Sequence, residues 1–234
     1  MGQRTSDKAL EPALLKKVPL FGEFSENDRT AVAALMVSRR YPKHAVLVYE
    51  GDAGDALFIV VKGNVAVTRV SNDGKETILT ILREGDFFGE MGVLDGSPRS
   101  ATIKAIGEVE AAMLPRKDFL ELLAKSPNMS LSLVLALSAR LRETNQAIQA
   151  AAYQDIRTRL AALLLHLSGQ FGETVEGGIR LTLRLTNQEM ANMIGTTRET
   201  ANRMLNRFWD EKLIDMQTGH IVIADAAKLK TLVG

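Results

Sequence analysis

The stretch LTNQEMANMIGTTRETANRMLNRFWDEKLI, from Leu185 to Ile214, decides the carboxy-terminal fold. Thr186 is followed three residues later by Glu189, which is the pattern of a capping box at the start of a helix. Thr197 caps a second helix, and only Gly195-Thr196 separates the two. Two short helices joined this closely have the spacing of a helix-turn-helix, whose second helix enters the major groove. The motif therefore predicts double-stranded DNA as a partner.

The second helix carries the side chains expected to read bases. Arg198, Glu199 and Arg203 all project from its first turns, where Arg can bind guanine and Glu can accept from cytosine N4. Hydroxyl and amide groups beside the helix starts are predicted to bind phosphates: Thr186, Gln188, Thr197 and Thr200. The alternative is a solvated face in which Glu199 and an arginine form an intrahelical ion pair.

Upstream, a long helix is predicted after Ser126-Pro127, with a heptad seam along it. The seam positions alternate in steps of three and four: Leu131, Val134, Ser138, Leu141, Asn145, Ile148 and Ala152. Apolar residues with one buried Asn are typical of a parallel two-stranded coiled coil, in which the Asn fixes the register. Leu133, Leu135 and Leu137 supply a second apolar face that could lie on the chain's own barrel. We expect both faces to be used, and hence a homodimer through this helix.

The amino-terminal half changes from helix to strand. A helix is predicted over Asn27 to Arg40, with Ser25 and Asp28 as its capping signal. From Tyr41 onward, short apolar runs alternate with glycine turns such as Ser71-Asn72-Asp73-Gly74, which indicates an antiparallel sandwich or barrel of about 80 residues. The expected domains are residues 1–126, a long helix 127–153 and a second compact segment 154–234. That segment begins with a helix to about His166 and a glycine-rich joint from Ser168 to Gly178. The fold class is α+β.

A second motif, FGEMGVLDGSPRSA from Phe88 to Ala101, has the chemistry of a phosphate cradle. Its glycines allow close backbone approach to a ligand, and Glu90 can accept from sugar hydroxyls. Arg99 and Ser100 can hold a phosphate oxygen through charge-assisted hydrogen bonds. An ion pair between Glu90 and Arg99 across a loop is the ordinary alternative.

Both motifs resemble those of the Crp/Fnr family of bacterial transcription regulators. The resemblance implies a jelly-roll barrel that binds a cyclic nucleotide, most often cyclic AMP, and a winged helix-turn-helix. It implies that Glu90 binds the ribose 2′-hydroxyl, that Arg99 and Ser100 bind the cyclic phosphate, and that Thr144 and Asn145 contact the base. The cassette positions that match are Gly89, Glu90, Gly92, Arg99, Ser100 and Ala101, with Met91 inside the same segment.

The resemblance also implies a target and further partners. Arg198, Glu199 and Arg203 fall on the base-reading positions, which implies a TGTGA-type half-site repeated as an inverted palindrome. RNA polymerase is the expected protein partner. Other effectors stay open: cyclic GMP, cyclic di-GMP, haem or none. The only histidines available to a haem are His44, His166 and His220.

Composition excludes several other classes. The 234 residues contain no cysteine, which removes disulfides, thiolate nucleophiles and thiolate metal sites, and we expect no metal. The net charge of +1 leaves nucleic-acid binding to a local patch. An enzyme using Glu90, Arg99 and Ser100 would lack a base near Ser100 and leave the helix-turn-helix unexplained. The polar segment from Met1 to Lys8 and the absence of any long apolar run predict a cytoplasmic protein without a membrane segment.

Overall fold

The computed structural model describes residues 8–217 and 219–233. Contacts divide the chain into two compact units, one up to Leu141 and one from Arg142 onward. The division falls inside the long helix, so that this helix contributes to both units. The separate dimerisation segment at 127–153 stays a prediction.

The amino-terminal unit is a β structure flanked by helices. Its elements, in chain order, are β1 (Lys8–Ala9), two 3-10 turns (Pro12–Lys17 and Pro19–Phe21), α1 (Glu26–Ala34), β2 (Val37–Tyr41), β3 (Val46–Val48), β4 (Ala56–Lys62), β5 (Val65–Val70), β6 (Glu76–Leu82), β7 (Phe87–Phe88), α2 (Glu90–Asp95), β8 (Thr102–Ala105), β9 (Val109–Pro115), α3 (Arg116–Lys125) and α4 (Pro127–Tyr153). The strands form two antiparallel sheets, in the orders β1-β2-β9-β4-β7 and β3-β8-β5-β6. The predicted antiparallel β architecture is confirmed.

Strand β4 explains how the core is built. Six of its seven residues are buried, because successive side chains point to opposite faces and both faces are covered. Phe58 and Val60 pack in a cluster with residues of the other sheet, and Phe58 stacks on Phe88 with ring centroids 5.0 Å apart. Leu57 and Ile59 pack instead in a cluster with side chains of the helices.

The first helix is shorter than its sequence pattern predicts. Ser25 and Asp28 form the expected capping box, but α1 ends at Ala34. The residues predicted to complete the helix, Val37 to Arg40, are instead part of β2, which pairs with β9. The prediction was wrong here because pairing with a buried strand outweighs local helix propensity.

The long helix has one face on the core of the first unit. Met129 and Leu133 are buried, and Leu137 packs against the same cluster. Leu135, which was predicted to share this face, is 59% exposed. The reason is geometric: residues four apart share a helix face, whereas a residue two positions away lies on the opposite side.

The carboxy-terminal unit contains the helix-turn-helix and a small sheet. It comprises the end of α4, α5 (Ile156–Phe171), β10 (Gly172–Val175), β11 (Gly178–Leu181), α6 (Asn187–Ile194), α7 (Arg198–Asp210), β12 (Ile214–Gln217), β13 (His220–Ile223) and α8 (Ala226–Val233), with the sheet in the order β10-β11-β13-β12. Helix α5 runs beyond the predicted end at His166. The segment predicted as a glycine-rich joint, Ser168 to Gly178, is divided: Ser168 to Phe171 complete α5, and the rest belongs to the hairpin of β10 and β11.

The apolar segments were compared with the length of a bilayer. Within residues 8–217 and 219–233, no single helix is long and apolar enough to cross it. One consecutive pair, Arg116–Lys125 with Pro127–Tyr153, meets the length and composition together but is bent by 111°.

The buried and the exposed face of α4 predict different changes in the free energy of unfolding when one leucine on each face is replaced by alanine. We expect Leu133→Ala to lower the free energy of unfolding by about 2 to 5 kcal/mol, because it leaves a cavity in a packed core. Leu135→Ala should change the stability of the monomeric chain by less than about 0.5 kcal/mol. Urea unfolding of dilute protein measures both values. Equal losses in the two variants would contradict this assignment of the core face.

Candidate ligand and nucleic-acid sites

The guanidinium of Arg99 is buried at the centre of the cassette and is 5% exposed. It donates to the carbonyl oxygens of Gly89 at 2.9 Å and Ala56 at 2.8 Å, and lies 5.5 Å from the centroid of the Phe58 ring. A carboxylate oxygen of Asp55 lies 3.5 Å away, but that side chain is 82% exposed. Burial lowers the pKa of Arg99, although an arginine stays protonated at neutral pH.

Glu90 is paired with an arginine that sequence reasoning missed. The carboxylate of Glu90 is buried and accepts from Arg140 Nη1 at 2.8 Å. Arg140 also donates to the carbonyl of Phe87 and lies 4.5 Å from the centroid of its ring. Because Arg140 lies on α4, this contact joins the cassette to the long helix. The predicted alternative, an ion pair between Glu90 and Arg99, is not formed.

Glycines make the cassette compact. Gly89 adopts φ +84°, and a Cβ there would lie 2.3 Å from Arg99 Nη1, so that only glycine fits. A Cβ on Gly92 would lie 2.7 Å from the carbonyl oxygen of Ser97 and 3.0 Å from the Cα of Gly54. Gly54 is a second position that sequence reasoning missed. Its signal would have been a glycine two residues before the buried strand β4.

The remaining predicted ligand residues are placed as follows. Ser100 is exposed, and its hydroxyl lies 3.8 Å from the sulfur of the exposed Met91, while Ala101 is buried. Thr144 and Asn145 are exposed on α4, four and five residues after Arg140, and belong to the second unit. Arg140 lies four residues before Thr144 and therefore on the same face of α4. This spacing could have indicated that Arg140 also lies near the ligand site.

The cassette fits an anionic ligand. Among the described residues, nothing hydrogen-bonds the buried Nε of Arg99. Glu90 and Arg140 neutralise one another, so Arg99 is the remaining buried charge. A buried cation with an unsatisfied donor is stabilised by a phosphate oxygen, which accepts charge-assisted hydrogen bonds.

The helix-turn-helix forms as predicted. Thr186 and Glu189 make the capping box of α6, and Gly195 ends that helix in the left-handed conformation at φ 65°. The hydroxyl of Thr197 accepts from the backbone N–H of Thr200 at 3.2 Å and so caps α7. Leu205 and Phe208 of α7 are buried, and Met204 is half-buried.

The three predicted base-reading side chains lie together on the surface. Arg198, Glu199 and Arg203 are exposed. Within the described residues, no ion pair joins Glu199 to either arginine, and Arg203 makes only a long contact of 3.5 Å with the hydroxyl of Thr200. The arrangement therefore leaves their polar groups for an external partner.

Some predicted phosphate ligands have intramolecular partners. The hydroxyl of Thr186 donates to the carboxylate of Glu189 at 2.8 Å, and Gln188 Nε2 donates to Asn192 Oδ1 at 2.7 Å. Phosphate contacts by Thr186, Gln188, Thr197 and Thr200 stay predictions.

Two further contacts hold α7, the helix predicted to read bases and called the reading helix below. Neither contact was predicted from the sequence. Asn187 Nδ2 on α6 donates to Asn202 Oδ1 on α7 at 2.8 Å. Arg157 on α5 binds both carboxylate oxygens of Glu211, at 3.0 and 2.6 Å, just beyond the end of α7. Hydrogen bonds from Arg157 and then from Arg207 lower the pKa of Glu211.

No group of three or more His, Asp or Glu side chains able to hold a metal ion is found within residues 8–217 and 219–233.

Comparison with known proteins gives matches over both units. Residues 38–126 match the cyclic nucleotide-binding domain, and residues 158–232 match the Crp-like helix-turn-helix domain. A CRP-like cAMP-activated global transcriptional regulator of Mycobacterium tuberculosis is 33% identical over 211 residues, covering 89% of this chain and 94% of that protein. The cyclic AMP receptor protein of Thermus thermophilus is 31% identical, covering 93% of this chain and 98% of that protein.

Solved structures agree with this result. The c-di-GMP-responsive global regulator CLP of Xanthomonas campestris has a TM-score of 0.72 and 26% identity, covering 82% of this chain and 95% of that one. A CRP/FNR-family regulator from Thermus thermophilus has a TM-score of 0.69 and 29% identity, covering 84% and 97%.

The fold and the two sites define a DNA-binding transcription regulator with a cyclic nucleotide-binding domain. The chain belongs to the CRP/FNR family. Members of this family are transcription regulators, so the enzymatic alternative for Glu90, Arg99 and Ser100 is discarded.

The lowered pKa of Glu211 predicts a pH-dependent contribution to stability. Because the folded-state pKa lies below the ordinary value of 4.5, the ionised carboxylate stabilises the fold above that value and the contribution is lost as the pH falls through the folded-state pKa. We expect Glu211→Gln to lower the urea midpoint of the second unit at pH 7, and the difference from wild type to vanish in acid. Glu173→Gln is the control, since its ion pair with Arg180 is more exposed. A difference that persists unchanged in acid would refute the assignment.

Proposed function

We propose that this protein is a homodimeric regulator in which cyclic AMP, bound at the cassette, controls binding to a palindromic TGTGA-type operator. The observation that carries the proposal is the ion pair between Glu90 of the cassette and Arg140 of the long helix. It gives a ligand at Glu90 a direct contact with the helix that continues toward the DNA-binding unit.

The ligand contacts follow from the chemistry of the cassette. Glu90 accepts from the ribose 2′-hydroxyl, and Arg99 and Ser100 donate to the cyclic phosphate, whose charge complements the buried guanidinium. Gly89 and Gly92 allow the ligand to approach the backbone, with Met91 and Ala101 beside it. Thr144 and Asn145 contact the base.

The coupling follows from the competition for Glu90. A ribose hydroxyl that donates to Glu90 competes with Arg140 for the same carboxylate. The ligand therefore binds with different free energy depending on whether α4 is placed so that Arg140 contacts Glu90. A ligand shifts an equilibrium only through such differential contacts. Coupling free energies of about 1 to 3 kcal/mol correspond to roughly 5- to 150-fold in DNA affinity.

The exposed seam of α4 supports dimerisation. Four of its apolar members are more than half exposed: Leu131 at 59%, Val134 at 57%, Leu141 at 62% and Ile148 at 62%. They share the heptad positions with Ser138, Asn145 and Ala152. A second copy of the same helix buries this apolar surface, and paired Asn145 side chains fix the register.

A dimer presents two copies of α7 to DNA. Dimeric helix-turn-helix proteins read half-sites about 34 Å apart, one turn of the double helix. Arg198, Glu199 and Arg203 then meet base edges, while Thr186, Gln188, Thr197 and Thr200 meet phosphates. RNA polymerase is the further protein partner, and the regulator acts in the cytoplasm where bacterial DNA lies.

The choice of cyclic AMP is supported by the relatives in Mycobacterium tuberculosis and Thermus thermophilus, whose names refer to it. Cyclic GMP, cyclic di-GMP, haem and no effector remain the alternatives that the test must separate. The structural relative from Xanthomonas campestris is described as responsive to c-di-GMP.

Calorimetric titration with cyclic AMP, cyclic GMP and cyclic di-GMP identifies the effector. We expect cyclic AMP to bind, and Arg99→Ala to weaken it by at least about tenfold because the phosphate loses a charged donor. Arg69→Ala is the matched control, since Arg69 is an exposed arginine of the same unit, paired with Glu50. Equal footprints and affinities for DNA with and without nucleotide would refute the regulatory coupling.

The base-reading assignment is tested by two substitutions on α7. Arg203→Ala should cost about 1 to 3 kcal/mol of operator binding and relax base choice at one position. Thr200→Ala should weaken all sequences alike, because phosphate contacts carry no sequence information. Binding to a set of single-base operator variants measures both effects. Unchanged discrimination in the Arg203 variant would refute the groove assignment.

A further inference from the structure

A cavity of about 110 Å³ lies within the carboxy-terminal unit, away from the nucleotide cassette. Its walls come from the reading helix α7, the hairpin of β12 and β13, and the segment that leads into α6. An occupant would therefore contact the reading helix and the hairpin at once. Neither the fold nor the proposed regulatory role requires such a space.

The cavity is mainly apolar, with sulfur and aromatic groups in its wall. Met190, Met216 and Trp209 line it together with seven Leu and Ile residues: Leu167, Leu181, Leu183, Leu185, Leu205, Ile214 and Ile221. Trp209 and Met216 are 55% and 53% exposed, so that both remain accessible from solvent. Aromatic rings pack favourably against both tryptophan and methionine sulfur.

The polar groups in the wall limit the charge of the ligand. Asn187, Asn202 and Asn206 supply amides, and Arg184 is the single ionisable side chain among the lining residues that the structure describes. None of these described lining residues is a carboxylate that could receive a cation. Asn206 is exposed, and its amide forms no hydrogen bond with another side chain or backbone group in the described part of the chain, so that it offers both a donor and an acceptor.

We infer that this cavity binds a small uncharged aromatic molecule of one ring bearing a hydroxyl group. A closed cavity of about 150 Å³ holds a benzene ring. At about 110 Å³ this open cavity takes no more than one ring, whose hydroxyl group then lies at the open side beside the exposed Asn206. The ring lies against Trp209 and Met216, and the hydroxyl group exchanges hydrogen bonds with Asn206. A cation is excluded because it would lose its hydration beside Arg184 without gaining a carboxylate.

Trp209 is the only tryptophan of the chain, so its fluorescence reports directly on this cavity. Phenol titrated into the full-length protein should give a saturable change in that fluorescence and a matching calorimetric isotherm. Cyclohexanol and benzylamine, of similar size, should bind at least tenfold more weakly. The measurement uses neither nucleotide nor DNA, so its outcome is independent of the proposed regulation.

Two variants locate the binding. Met216→Arg should abolish phenol binding by blocking the mouth, whereas Leu79→Arg should leave it unchanged, since Leu79 is 54% exposed on β6 of the other unit. Asn206→Ala should weaken phenol at least fivefold and leave toluene unaffected, which separates the hydrogen bond from any loss of folding. Non-saturable phenol signals, equal binding of cyclohexanol, or undiminished phenol binding by folded Met216→Arg would overturn the inference.

Discussion

The buried carboxylate of Glu90 is the constraint on which the arrangement of the first unit depends. Removing a carboxylate from water costs several kcal/mol unless a charged partner and good geometry compensate. Arg140 supplies both, because it binds Glu90 while its guanidinium rests on the Phe87 ring. The partner comes from α4 and not from the cassette itself, so this contact links Glu90 to the long helix, whose Met129 and Leu133 also pack in the core.

Arg99 differs from Glu90 in that its charge is not compensated by a buried partner. Its Nη groups donate to the neutral carbonyl oxygens of Gly89 and Ala56, which orient the guanidinium without cancelling its charge. The carboxylate of Asp55 is largely in water and screens it weakly. Because Glu90 and Arg140 neutralise one another, Arg99 is the buried charge of the cassette that lacks a buried partner of opposite sign. A phosphate group, as in the cyclic nucleotide proposed above, would supply that opposite charge.

Local signals predicted much of the fold, and tertiary contacts explain the remainder. The caps at Ser25, Thr186 and Thr197 depend on side chains within three residues and form as expected. Val37 to Arg40 are helical by local pattern, yet they pair with β9, which lies about seventy residues away. Arg140 could not be assigned a role from composition alone, because its partner becomes adjacent only when α4 packs on the barrel strands. The apolar residues Leu133, Leu135 and Leu137 correctly predicted that α4 has a buried face. Helix geometry places only Leu133 and Leu137 on that face.

Helix α7 has two groups of side chains, those that hold it in place and those that we propose contact base edges. Arg157 clamps Glu211 beyond the end of α7, and Asn187 holds Asn202 near the middle, so the helix is fixed by contacts that do not use the reading groups. Arg198, Glu199 and Arg203 are left in water, where unpaired charges cost little. Base edges can then bind groups whose backbone is already ordered, which reduces the conformational entropy lost on binding. Rigid placement of α7 together with unengaged side chains is the combination that sequence-specific readout requires.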